Sequence, residues 1–131
     1  MKKQPDLEFQ KFLGMIRSHF DFLFQRGYRI VSAMFTDPAN QDWNVILAGE
    51  DTLIQIRYRN EKVNLALSSE KLFDTVGMLD LYDLVGHIRG EKNLLEASPP
   101  LLPDEREQVR KSAQLLENHM EEILTFLQKI H

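Results

Sequence analysis

Three runs between residues 43 and 67 constrain the fold more than any other part of the chain. In Trp43-Asn44-Val45-Ile46-Leu47-Ala48 the residues at 43, 45 and 47 are apolar. In Leu53-Ile54-Gln55-Ile56-Arg57-Tyr58 the apolar set is Ile54, Ile56 and Tyr58, and Val63-Asn64-Leu65-Ala66-Leu67 alternates as well. A period of two places alternate side chains on one face, so each run reads as a half-buried β-strand. One register satisfies all three. With Glu50-Asp51 and Asn60-Glu61 as the tips of two short hairpins, Gly49 faces Thr52 and Arg59 faces Lys62. Three wholly apolar rows then cross the strands: Trp43, Tyr58 and Val63; Val45, Ile56 and Leu65; Leu47, Ile54 and Leu67. The other face takes Asn44, Arg57 and Asn64 in one row and Ile46, Gln55 and Ala66 in the next. A slip of one residue would turn the apolar rows toward water. The turn chemistry fits less well. Two-residue hairpin loops need positive φ and favour Asn-Gly or Asp-Gly, yet neither tip has Gly second, which leaves a longer loop or a bulge at Gly49 as the alternative.

An apolar sheet face needs a cover, and the N-terminal segment supplies one. After Pro5-Asp6, the residues Leu7, Phe9, Phe12, Leu13, Ile16, Phe20, Leu23 and Phe24 recur at steps of three and four, the pattern of an amphipathic helix with an aromatic face. Gly27, after Arg26, stands where a positive-φ residue ends a helix. Packing on the sheet is the expected use of this stripe, ahead of a partner groove or a lipid surface. Tyr28 to Phe35 reads as a further strand with apolar residues on both faces, and Thr36 to Asp42 as a turn-rich loop, so the next strand returns antiparallel. The loop at 37–42 and the turn at 59–62 then share one end of the sheet, around Trp43.

Beyond the strands, Ser68 or Ser69 caps a short turn, and Asp80 caps a helix of Leu81, Leu84, Val85 and Ile88 that stops at Gly90. Residues 91–103, with Ser98-Pro99-Pro100, read as a connector to a C-terminal helix over 103–130. In that helix Val109, Ala113, Leu116, Met120, Ile123, Leu127 and Ile130 step by four and three, a seam that serves either packing inside a domain or a dimer. Leu115, Leu124 and Phe126 widen it, which favours the first use.

The chain of 131 residues is long enough for one core without staples, and residues 1–131 are expected to form a single α+β domain. Apolar residues at 43% and charged residues at 27% place it with globular rather than disordered chains. A formal net charge of -4 argues against binding nucleic acid through a phosphate-matching surface. With no cysteine, disulfides, thiolate catalysis and cysteine metal sites are excluded. A cytoplasmic protein is expected: the basic Met1-Lys2-Lys3 leads into an amphipathic pattern rather than an apolar signal core, and no run is long enough to cross a bilayer.

Chemistry is sparse. His19, His87, His119 and His131 show no metal-ligand spacing, and the glycines form no phosphate cradle. The pairs Asp80 with Asp83 and Glu117 with Glu121 share helix faces by spacing, but such pairs mostly serve solubility and Asp80 already has a capping role. No catalytic, cofactor or metal residue is assigned. Arg57, Arg59 and Lys62 near Tyr58 and Trp43 are the basic and aromatic cluster, able in principle to stack a base or meet an acidic partner.

An aromatic first helix ending in Arg26-Gly27-Tyr28, the strand Trp43-x-Val45-x-Leu47, a following hairpin and the short helix of Asp80-Leu81-Tyr82-Asp83-Leu84 resemble small bacterial cytosolic immunity proteins encoded beside polymorphic toxins. The resemblance covers roughly residues 7 to 90, in layout and without a catalytic motif. It implies a non-enzymatic module whose partner is another protein, a toxin. The expected fold is α+β: a four-stranded, mainly antiparallel meander with the N-terminal and long C-terminal helices on one face. Candidate contacts with a basic partner are Asp37, Asp42, Glu50 and Asp51, joined by Arg57 and Arg59. The alternative is a homodimer or adaptor associating through Val109, Leu116, Met120, Ile123 and Leu127. Neither reading involves nucleic acid, membrane or cofactor.

Overall fold

A computed structural model describes residues 5–37, 42–59, 62–90 and 105–129. Helices α1 (Pro5–His19) and α2 (Asp21–Gln25) lead into strands β1 (Arg29–Asp37), β2 (Asp42–Gly49), β3 (Thr52–Arg59) and β4 (Lys62–Ser69). Helix α3 (Glu70–Val76), strand β5 (Leu79–Asp80), helix α4 (Leu81–Arg89) and helix α5 (Glu105–Lys129) follow. The strands form one antiparallel sheet in the order β1-β2-β3-β4-β5. The sheet thus has five strands, not four. Asp80, expected from the sequence as a helix cap, also pairs with Ala66, and Leu79 beside it with Leu67. Two residues are too few to show a period, which is why the strand escapes a pattern search.

The three apolar rows are found in the expected register. Trp43 pairs with Tyr58 and Tyr58 with Val63, then Val45 with Ile56 and Leu65, then Leu47 with Ile54 and Leu67. All nine of these side chains are buried. Helix α1 lies over the first row, where Trp43 stacks on Tyr58 at 4.9 Å and Phe12 tilts against both at 5.3 and 5.8 Å. The single helix expected over 7–24 is broken: Phe20 takes φ -104° and ψ 22° between α1 and α2. Both Phe20 and Leu23 are fully buried, so the break lets the second half of the aromatic stripe reach the same core. Gly27, at φ 95°, ends α2, and the Tyr28 amide reaches back to the Leu23 carbonyl at 3.0 Å.

The two cap readings are resolved by geometry. Ser69, rather than Ser68, caps α3 by accepting the Leu72 amide at 3.0 Å, and Asp80 accepts the amides of Tyr82 and Asp83. Helix α5 packs on β4, α4 and α1. Val109, Leu116, Met120, Ile123 and Leu127 are all buried with the sheet, the packing inside the domain that the width of the stripe favours over the dimer alternative. The covered face of β4 needs this much apolar area, and the extra width given by Leu124 supplies it. The connector at 91–103 and the tip Asn60-Glu61 lie outside the described residues. Among the described residues no helix is long and apolar enough to cross a membrane.

Candidate functional site

With α1 and α5 on one side, the other side of the sheet carries Met34, Asn44, Arg57 and Asn64 in one row. Ser32, Ile46, Gln55 and Ala66 form the next row, and Arg29, Ala48, Leu53 and Ser68 the third. Ile46, Ala48, Leu53 and Ala66 are only half-buried, and Met34 is 54% exposed. The result is a platform whose apolar positions Ile46, Ala48, Leu53 and Ala66 flank Gln55 at the middle, with Asn44, Arg57 and Asn64 as a polar row along one side. Apolar area carrying a few hydrogen-bonding groups and bordered by polar ones is the make-up of a protein-binding surface. The sequence shows the rows of this face and names one of its residues, Arg57, as a candidate contact, but not Ile46, Leu53 or Met34. Their signal was the recurrence of apolar residues at positions that should be polar on a solvated face.

The charged candidates do not form one surface. Asp42 and Asp37 pair with each other where β1 meets β2, whereas Glu50 and Asp51 form the opposite tip of β2. Eight residues of strand separate Asp42 from Glu50, about 26 Å at 3.3 Å per residue. Asp42, expected in a solvated loop, opens β2 and is only 8% exposed. Its carboxylate is already matched: Arg57 approaches through Nη2 at 3.1 Å and Nε at 3.4 Å, and Arg59 through Nε at 3.8 Å. These arginines are therefore not the cationic half of a stacking platform either. Trp43 and Tyr58 point into the core while Arg57 lies on the other face, as strand alternation requires.

At the far tip, Arg26 donates from Nε and Nη2 to the two oxygens of Glu50 at 2.7 and 2.9 Å, and from Nη1 to Glu121 at 2.9 Å. One guanidinium thus ties the end of α2 to the β2–β3 turn and to α5. These hydrogen bonds hold the Glu50 carboxyl below the usual range. Asp51 is exposed, and its carbonyl receives the first amide of α3, from Glu70, at 3.0 Å. The turn itself is a tight two-residue one, with Glu50 at φ 51° and Asp51 at φ 57°, so the longer loop at Gly49 is not formed. Gly49 has another reason to be glycine: a Cβ there would lie 2.7 Å from Cγ and 2.9 Å from Cα of Tyr28.

The histidines are dispersed. His19 borders a shallow cleft of about 810 Å³ between α1 and the start of α5, lined also by Lys11, Ser18, Glu105 and Arg106. His87 on α4 rests 5.1 Å from the Phe126 ring, and His119 lies 3.7 Å from Glu122. Among the described residues no three His, Asp or Glu side chains converge as a metal site would require. Compared with protein-family models, curated proteins and solved structures, the chain matches none.

Proposed function

We propose that the chain is a non-enzymatic protein-binding module whose working surface is the uncovered sheet face, and that it serves in the bacterial cytoplasm as an immunity protein neutralising a toxin partner. The observation that carries the reading is the half-buried apolar set Ile46, Ala48, Leu53 and Ala66 around Gln55, bordered on one side by the polar row Asn44, Arg57 and Asn64. Burying such apolar area supplies affinity, and the polar groups select the partner. The toxin role rests on the layout shared with immunity proteins, from Arg26-Gly27-Tyr28 through Trp43-x-Val45-x-Leu47 to Asp80-Leu81. The acidic candidates move to second rank, because Asp42 and Glu50 are already neutralised by arginines of the same chain.

The test is calorimetric titration of this chain with the product of the adjacent reading frame, repeated with Ile46→Glu and Leu53→Glu. Submicromolar binding that weakens at least about tenfold in both variants supports the reading, since a buried unpaired carboxylate in a contact of about 800 Å² per partner costs more than 1.4 kcal/mol. Binding unchanged by both variants would move the surface elsewhere. Failure to bind, together with failure to protect cells that express the neighbour, would remove the toxin role.

A further inference from the structure

The two edges of the sheet are finished differently. On the β5 side Leu79 and Asp80 alone among the described residues pair with β4, and further along that strand the Val63 amide donates to Oε1 of Gln108 at 2.8 Å. Helix α5 thus satisfies a donor that the short strand does not reach. The β1 edge runs for nine residues, and Val31 and Met34 on it are 52% and 54% exposed. Between its ends it holds neither lysine nor proline, residues that commonly keep an edge from pairing. Its register with β2 is irregular at Ile30/Ser32 and at Phe35/Asp37, but Ser32 to Phe35 between them is regular.

The strand is also complementary to itself. Two copies pairing antiparallel about a two-fold axis normal to the sheet bring together only residues of the same face, and by their partners on β2 both Arg29 and Asp37 belong to the outer face. The register centred on Ala33 sets Arg29 opposite the copy's Asp37 at both ends at once. It also sets Ser32 opposite Met34 within the regular run, leaving no like charges face to face. Opposite charges are among the pairings that favour adjacent strands. We propose that the protein self-associates through β1, two copies pairing Arg29–Asp37 antiparallel about Ala33 so that their sheets become one continuous sheet. A two-fold axis normal to the sheet keeps both uncovered faces on the same side, so association extends the platform without covering it.

Because the chain has no cysteine, a single introduced thiol reports the axis. In the Ala33→Cys variant the two Cα atoms lie about 4.5–5.5 Å apart, within reach of a disulfide. In Val31→Cys they lie about 13 Å apart, beyond it. Mild oxidation is expected to convert the first variant to twice the 15.3 kDa chain mass and to leave the second unlinked. In sedimentation equilibrium the unmodified chain is expected to dimerise, Arg29→Asp to weaken the dimer about tenfold, and Arg29→Asp with Asp37→Arg to restore it. A circular dichroism melt confirms that each variant is folded, and the thiol pair gives an answer should the charge variants not be. A concentration-independent monomer, equal linking of both thiol variants, or no rescue in the folded double variant would overturn the proposal. So would a dimer lost in Ile46→Glu but kept in Arg29→Asp, which would place the interface on the sheet face. Toxin binding and dimerisation are read separately, so either can fail alone.

Discussion

Glu50 and Asp51 sit where the backbone asks for residues they are not. Both hold positive φ, 51° and 57°, in a hairpin turn that favours glycine second. The left-handed region costs an L-residue about 1–2 kcal/mol, and a glycine there would lose about 0.5–1 kcal/mol more backbone entropy on folding. The difference leaves Asp51→Gly stabilising by about 0.5–1 kcal/mol, a rise in Tm of about 2–5 °C. Glu50 is the poorer site for the change because its carboxylate holds Arg26, whereas what Asp51 gives α3 is a backbone carbonyl that glycine retains. Gly49→Ala should do the opposite. Its Cβ would meet the Tyr28 backbone and ring base below 3 Å, and overpacking of this kind costs about 1–3 kcal/mol. Urea titrations of the two variants against the parent chain measure both signs, and a destabilised Asp51→Gly would mean that the aspartate side chain itself supports the turn.

Among the elements, those whose pattern repeats were legible and those set by a meeting of distant parts were not. Strands β2, β3 and β4 fix one another because three rows must be apolar together, and the register found is the one that condition selects. The break at Phe20 was invisible because the apolar steps run on across it; the turn serves the shape of the core, not the period of the helix. Of the candidate site, the rows of the uncovered face and the meeting of Asp42 with Arg59 at one sheet end could be read, but the hydrogen bonds of Asp42 with Arg57 could not. They depend on Asp42 starting a strand rather than ending a loop. The seam of α5 is the intermediate case, since its period was plain but one period fits packing in the same chain or across two. Leu116 is fully buried with the sheet, so Leu116→Ala should cost about 2–5 kcal/mol by leaving a cavity. Light scattering should show the same oligomeric state before and after. A change in mass with little change in stability would mean that the seam is shared between chains.

The whole molecule should answer alkali more sharply than acid. On the acid side two groups oppose each other. Hydrogen bonds from Arg26 lower the Glu50 carboxyl, so its contribution is present above the ordinary glutamate value of about 4.3 and is lost as pH falls through the folded value. Burial raises Asp80, so its contribution is greatest at low pH and declines as pH rises through the folded value. On the alkaline side two groups act together. Burial pushes both Tyr28 and Tyr82 upward, and the Glu50 carboxylate adds to the shift at Tyr28. Below about pH 10 both tyrosines are protonated folded or unfolded; above it the unfolded chain releases protons that the fold retains, so stability falls by up to about 1.4 kcal/mol per pH unit for each. Tyr28→Phe removes one of these two titrations. Urea midpoints measured from pH 9 to 12 should therefore decline less steeply in Tyr28→Phe than in the parent chain, with the two curves closest in shape below pH 10. Parallel declines across that range would mean that the Tyr28 hydroxyl ionises as readily in the fold as outside it, and that the packing of Tyr28 over Gly49 is looser than the structure shows.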